Sequence, residues 1–227
     1  MTALAHPTVT VPADSPALQM NPVTSPHRPA CSLTDRAAYA LTKIARFGAD
    51  VCFRQHYIHR AVVLETVAAV PGMVGAALQH LRSLRLQRGR PDMVKLLLDE
   101  AENERMHLMT FVALCQPNWA ERALILLAQG VFFNGFFLLY LISPAMAHRM
   151  IGYFEEEAVY SYDCFIDAID ANQIANCSIP EFARSYWRLA PSALLRDLVV
   201  AIRADEAGHR DMNHHLSDAE RGLQIAA

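Results

Sequence analysis

Twice along this chain of 227 residues, a solitary glutamate in an apolar helical segment is followed one segment later by a glutamate and a histidine three positions apart. Glu65 stands in "AVVLETVAAV", the only charged residue between Arg60 and His80. Burying an ionised carboxylate without a partner is very costly, so this position calls for a cation, a proton, a metal, or a buried arginine such as Arg60. Glu104 and His107 lie in "NERMHL", Glu206 and His209 in "ADEAGHR". Spacing of i, i+3 sets both side chains of each pair on one helical face. With 11 Glu and 10 His in the chain, chance gives about half an E-x-x-H match, and exposed Glu–His pairs are the bland alternative for each.

The second solitary glutamate comes from "YFEEEAVYSY". Successive helical positions rotate by about 100°, so three glutamates in a row cannot all face inward. The face of Glu155 also carries Ile151, Ala158, Tyr162, Phe165 and Ile169 and is otherwise nearly apolar. Glu156 and Glu157 meet Tyr160, Asp163 and Asp167 on more polar faces. Glu155 is therefore expected inside, with its two neighbours solvated or in supporting positions.

One Glu from each of two helices and a Glu-x-x-His from each of two others is the ligand pattern of ferritin-like carboxylate bundles that hold two metal ions. Four carboxylates and two imidazoles suit a pair of iron or manganese ions that change oxidation state. The expected fold is all-α: a ferritin-like four-helix bundle with a di-iron carboxylate site, plus two additional helices forming a membrane-facing surface. Helix formers dominate from Leu33 onward, and Gly and Pro cluster between segments. A first helix runs from a Thr34-Asp35 cap to about Tyr57, and a second from about His59 to Leu86 with a kink at "VPG". A third runs from about Asp92 to Cys115, with Pro91 suited to its start. The fifth runs from Ser143 to about Asn172, and the last from Pro191-Ser192 to about Leu216. A looser stretch, 175–190, precedes that last helix. Residues 1–33, rich in Pro, Ser, Thr and Ala, read as a disordered tail, and 34–227 as one helical domain.

The fourth helix is the run "ALILLAQGVFFNGFFLLYLI", Ala123 to Ile142, without a single charge. About 20 apolar residues can cross a bilayer. Yet Glu104 and His107 precede the run and Glu155 follows it, so a single crossing would part the ligands by about 30 Å. The run is expected to lie in one leaflet along its surface. Tyr39, Leu41, Ile44 and Phe47 of the first helix can share that face. The basic residues are 18 Arg against two Lys, and "HLRSLRLQRGR" reads equally as a lipid-headgroup contact or a solvated helix end. A net charge of −3 gives no sign of a nucleic-acid binder. Five cysteines without C-x-x-C spacing point to reduced thiols rather than a cysteine-bound metal. No cleavable signal peptide is visible.

"LETVAAVPGMVG", "AENERMHLMTF", "QGVFFN", "YLISP", "AHRMIGYFEEEAVYSY", "YWRL" and "RADEAGHRDMNH" resemble, in order, the signatures of the alternative oxidases. These are the cyanide-insensitive quinol oxidases, and the likeness covers about Asp35 to Leu216. It implies a monotopic, homodimeric enzyme with two iron ions on Glu65, Glu104, His107, Glu155, Glu206 and His209. It also implies a redox-active tyrosine at Tyr162 and a quinol pocket at Arg60, Leu64, Ala158 and Ser161. Supporting residues would be Asn103, His148, Tyr186, Trp187 and Asp205, which hold ligands and orient imidazoles. The sequence departs from the family in carrying Ala61 where some members have Cys and Ser161 where some have Thr. Gly208 replaces the first His of the plant-type "EAHHR". The thiol control of plant members is not carried over to Cys31.

The resemblance thus implies a ubiquinol:oxygen oxidoreductase that reduces O₂ to water without pumping protons. It would sit on the cytoplasmic face of a bacterial inner membrane or, alternatively, on the matrix face of the mitochondrial one. Rival readings are a di-iron quinone-pathway hydroxylase and an iron-storing or iron-sensing bundle.

Overall fold

The computed structural model describes residues 27–53, 57–86, 91–115 and 119–222. Among these are seven helices: α1 (Leu33–Phe53), α2 (Tyr57–Leu86), α3 (Pro91–Cys115), α4 (Trp119–Ile142), α5 (Pro144–Asp170), α6 (Glu181–Tyr186) and α7 (Leu195–Glu220). The described part of the chain is all-α, apart from one isolated bridge between Ser178 and Leu194.

Helix ends follow local chemistry. Ser32 rather than Thr34 opens α1: its hydroxyl accepts from Asp35 N at 3.0 Å, and Ser32 N donates back to Asp35 Oδ2 at 3.2 Å. This reciprocal pair satisfies two orphan donors. The hydroxyl of Ser143 caps α5, accepting from Met146 N at 3.2 Å, with a proline in the first turn where no N–H is missed. Asn172, at φ 56°, takes the left-handed conformation that ends α5. The last helix starts at Leu195, three residues later than Ser192. The carboxylate of Asp197 accepts from Leu194 N at 2.9 Å and fixes that start. α6 was not expected, since six residues carry too little periodic pattern to stand out.

α2 pairs with α3 and α5 with α7, and these four helices make the bundle. α1 lies along α5, and α4 along α2 and α5. α2 runs unbroken through Pro71. The next residue is glycine for a steric reason: a Cβ on Gly72 would stand 2.4 Å from the carbonyl oxygen of Leu97 in α3. One core cluster joins Val62, Phe111, Phe165, Leu198 and Ile202; another joins Val70, Phe136, Ile151 and Tyr153.

Among the described residues, two helices are long and apolar enough to cross a membrane, but they are placed differently. The apolar window of α2 has a mean hydropathy of 1.8 and is 56% buried; that of α4 has 2.0 and is 11% buried. α4 leaves Leu126, Leu127, Val131, Leu138, Leu141 and Ile142 exposed, and α1 adds Leu41, Ile44 and Phe47. Tyr39 instead packs inward, edge-on to Tyr153 with ring centroids 5.3 Å apart. The expected tail falls mostly on residues 1–26, outside those described. Residues 27 and 28 lie against the bundle: His27 Nδ1 is 2.5 Å from Glu156 Oε2, and Arg28 Nη2 donates to Asp218 Oδ2 at 2.5 Å.

Candidate metal centre and adjoining cavity

α2, α3 and α7 bring donor atoms to one interior point, and Glu155 of α5 lies beside it. Glu65, Glu104, His107 and Glu206 each offer a donor atom, all within 4.8 Å of one another. Nδ1 of His107 lies 3.4 Å from Glu65 Oε2, 3.3 Å from Glu104 Oε2 and 3.2 Å from Glu206 Oε1. His209 joins through Nδ1, 2.6 Å from Glu104 Oε1. Glu155, 5% exposed, stands outside the tightest group and couples to it through Glu206. The phenol of Tyr162 donates to Glu65 Oε1. Glu65 is thus bound within the cluster.

The electrostatics are those of a site short of positive charge. Burial pushes the Glu65 carboxyl well above the usual range, and Glu206 and Glu104 push it further against the pull of His107. Glu155 is raised in the same way, by burial and then by Glu206. Burial acts likewise on Glu104, but the His107 and His209 imidazoles outweigh it and hold that carboxyl well below its ordinary value. Burial depresses the two imidazoles, yet the surrounding carboxylates win: His107 is raised well above its ordinary value, His209 to about 9.

Glu65 Oε2, both oxygens of Glu104, Glu206 Oε2 and Nδ1 of both histidines are buried with no hydrogen-bond partner. Native interiors hold only a few such atoms per hundred residues, and here six lie in one cluster. His107 Nε2 lies 3.3 Å from Asp205 Oδ2. A cation taking the Nδ1 lone pair would leave the ring proton on Nε2, facing Asp205. Oxygen-rich donors with two imidazoles fit iron or manganese.

Two bonded groups surround the donors. In one, Asp205 Oδ2 accepts from Trp187 Nε1 at 2.7 Å and Asn103 Nδ2 at 3.1 Å, and Asn103 also donates to Tyr186 Oη at 3.2 Å. His148 belongs to the other, with Nδ1 3.0 Å from Asn213 Oδ1 and Nε2 3.1 Å from Tyr140 Oη. Asn213 Nδ2 donates to Glu100 Oε1 at 2.9 Å and to the carbonyl of His209 at 3.0 Å. Burial pushes Glu100 up to about 7, against the pull of His209 and of the Asn213 bond. Glu100 and Asn213 were not singled out from the sequence, although they lie four residues from Glu104 and His209 on the same faces.

Glu156 and Glu157 are not solvated. Glu156 Oε1 lies 2.8 Å from His214 Nε2, and Glu157 is ion-paired with Lys43 and Arg46. Their partners come from α1, α7 and the segment before α1.

A cavity of about 160 Å³ adjoins the centre, lined by Arg60, Leu64, Ala158, Phe132, Phe154 and Pro71 and by the carboxylates Glu65, Glu155 and Glu206. A smaller one, about 30 Å³, is lined by Arg60, Ala61, Leu64, Ala158, Ser161 and Tyr162. The four residues expected to bind quinol therefore share these walls.

Fold and donor set together define a four-helix bundle whose buried carboxylate–imidazole cluster could hold metal. The family model described as alternative oxidase matches residues 16–218, and the chain belongs to that family. The chain is 54% identical over 192 residues to the mitochondrial ubiquinol oxidase of Batrachochytrium dendrobatidis, covering 85% of this chain and 61% of that protein. It is 54% identical over 186 residues to the mitochondrial ubiquinol oxidase of Mangifera indica, covering 82% and 58% respectively. Alternative oxidase 3, mitochondrial, of Glycine max is 54% identical over 196 residues, or 86% of this chain and 60% of that one. The chain thus spans about 60% of the length of these relatives.

Proposed function

We propose that the chain is a membrane-associated ubiquinol:oxygen oxidoreductase that reduces O₂ to water. The observation that carries this reading is the 160 Å³ cavity. It runs from Ala45 of α1 and Phe132 of α4, beside the exposed apolar face, to the buried carboxylates Glu65, Glu155 and Glu206. A quinol ring with an apolar tail fits such a space, and a storage or sensing bundle has no use for it.

Glu65, Glu104, His107, Glu155, Glu206 and His209 would hold two iron ions. That pair supplies the electron-accepting and oxygen-binding chemistry. The bound cations also supply the positive charge that Glu65 and Glu155 lack, so binding releases protons. Arg60 and Ser161 orient the quinol oxygens, while Leu64, Ala158, Phe132 and Phe154 exclude water from the ring. Tyr162, donating to Glu65, is placed to give an electron and a proton at the centre and to recover both from quinol. Two quinols release the four electrons and four protons that one O₂ needs to become two waters, so the reaction requires no proton to cross the membrane.

The exposed face of α1 and α4 would lie in one leaflet, with the bundle in the aqueous phase and a second copy completing a homodimer. Residues before and after α4 meet at one centre, which a single crossing by α4 would not allow. The word mitochondrial in the relatives' names supports a mitochondrial inner membrane, the alternative to the bacterial membrane expected first. The test is oxygen uptake by membranes carrying the protein, driven by ubiquinol with cyanide present, beside a Glu155→Ala control. Uptake that disappears in the control, with water as product, supports the reading. No uptake from folded, metal-loaded protein overturns it, and a modified quinone ring would then point to a hydroxylase.

A further inference from the structure

A row of three rings leads from the metal-ligating cluster to the protein surface. His107 and Trp187 are stacked, with centroids 5.7 Å apart and planes 20° apart. Trp187 meets Tyr186 edge-on at 4.8 Å. His107 is fully buried, whereas Tyr186 is 40% exposed. Hydrogen bonds run beside the rings: Trp187 Nε1 donates to Asp205 Oδ2, and Asn103 joins Asp205 to the phenol of Tyr186.

We propose that this row is an outlet for oxidising equivalents, through which an electron from outside reaches the centre when quinol does not arrive. The proposal rests on the ubiquinol oxidase reading, because oxygen reduction needs four electrons and each quinol brings two. A centre that meets O₂ with too few electrons is left with an oxidising equivalent. Indole and phenol are the side chains most readily oxidised by one electron without a metal, and here they occupy consecutive positions against a metal-ligating imidazole.

Among the described residues, the other ring at the centre adjoins only phenylalanine rings. Tyr162 is 5% exposed and stacks on Phe111 at 6.0 Å, which tilts against Phe165 at 6.5 Å. Phenylalanine is not oxidised under these conditions. Tyr162 can therefore exchange an electron with the centre but cannot hand the deficit onward along those rings.

Trp187 loses one electron through His107 to the centre, which is reduced by one. The indole N–H proton moves to the Asp205 carboxylate, whose negative charge lowers the cost of the positive charge on the ring. Tyr186 then gives one electron to Trp187, Asp205 returns the proton to the indole nitrogen, and the phenolic proton leaves to water. A soluble reductant of the thiol or ascorbate class gives a hydrogen atom to the Tyr186 oxygen and is itself oxidised by one electron.

The experiment uses the metal-loaded full chain, reduced and then mixed with O₂ in the absence of quinol, frozen at intervals and read by electron paramagnetic resonance. Ring-deuterated tryptophan or tyrosine identifies the radical, and only two tryptophans compete. A tryptophan signal that decays into a tyrosine signal, and that ascorbate quenches, is expected. Tyr186→Phe keeps the Trp187–Asp205 bond and should prolong the tryptophan signal. Trp187→Phe should abolish both signals and shift oxidative modification, read by peptide mass spectrometry, to buried Tyr162. If Trp187 only orients Asp205 and His107, Tyr186→Phe changes nothing in the radical spectrum, and that result overturns the proposal. So does a wild-type signal confined to a tyrosine that Tyr162→Phe removes. Ubiquinol-driven oxygen uptake on the same sample separates the two failures. Uptake without a tryptophan signal removes the outlet alone; no uptake removes the oxidase reading and the outlet with it.

Discussion

Two glycine-to-alanine substitutions in neighbouring helices should move stability in opposite directions. At Gly72 in α2 an added Cβ would lie 2.4 Å from the Leu97 carbonyl oxygen, 2.9 Å from Ala101 Cβ and 3.0 Å from Ala101 N. Comfortable contact is about 3.5 Å, so the overlap with the carbonyl is about 1 Å, and backbone cannot swing aside as a side-chain tip can. α3 must move away as a body. Overpacking of this kind costs about 1–3 kcal/mol, and the better helix propensity of alanine returns at most about 1 kcal/mol. With about 2 kcal/mol for a 1 Å overlap against backbone, the net loss for Gly72→Ala is about 1 kcal/mol, or a fall in Tm of about 2–4 °C for a domain of this size. At Gly130 in α4 a Cβ would meet nothing within 4 Å. Gly130→Ala should therefore keep the propensity gain and raise Tm by about 2–4 °C. Both variants are scanned at one heating rate in one detergent, with bound iron measured alongside. Because α2 and α3 carry Glu65, Glu104 and His107, Gly72→Ala should also bind metal more weakly. Equal melting of Gly72→Ala and wild type, or equal loss in both variants, would refute the steric reasoning.

Three further outcomes are expected. Glu155→Ala should lose metal and activity, whereas Glu156→Ala should retain metal while the segment at His27 loosens; equal metal in both proteins and wild type would count against the assignment of Glu155. Asp35, held by Arg149 Nε at 3.1 Å and Arg221 Nη2 at 2.8 Å, titrates at about 2: burial raises it, but the bonds from Arg221 and Ser32 outweigh that. A depressed folded pKa contributes stability above the unfolded value, so about 2 kcal/mol should vanish as pH falls from about 4 to 2. Acid unfolding of Asp35→Asn should lack that share of the slope, and an identical slope would contradict the pairing. Asn213→Ala takes one buried bond from Glu100 and one from Nδ1 of His148, at a cost of about 1–3 kcal/mol; denaturant unfolding with an unchanged midpoint would show that bond set to be dispensable.

The bundle helices were legible because their carboxylates break apolar periodicity. Glu65 interrupts an uncharged run, and only one of the three glutamates at 155–157 shares a face with Ile151 and Phe165. The i, i+3 pairs needed no knowledge of neighbours. What stayed hidden depends on distant partners. Glu156 is buried because His27 lies against it from 129 positions away and His214 from 58. Composition also cannot tell a core helix from an uncovered one. α2 and α4 have mean hydropathies of 1.8 and 2.0, yet their burial differs by a factor of about five. Ser32, Leu195 and α6 were misplaced or missed because caps and short helices are decided by single hydrogen bonds, which no periodic pattern announces.

The contacts made by His27 and Arg28 bear on where this protein can be cut. The sequence pattern places the border of the folded body at residue 34, where periodicity begins. Yet Arg28 N donates to Glu156 Oε1 at 2.9 Å, and its guanidinium reaches Asp218 near the end of α7. Removing residues 27–33 would take the His27 ring and the Arg28 amide away from Glu156 and remove the Ser32 cap. A shortened version meant for expression or tagging should therefore begin before His27. One that begins at the first obvious helix would carry its damage on α5, the helix that also bears Glu155.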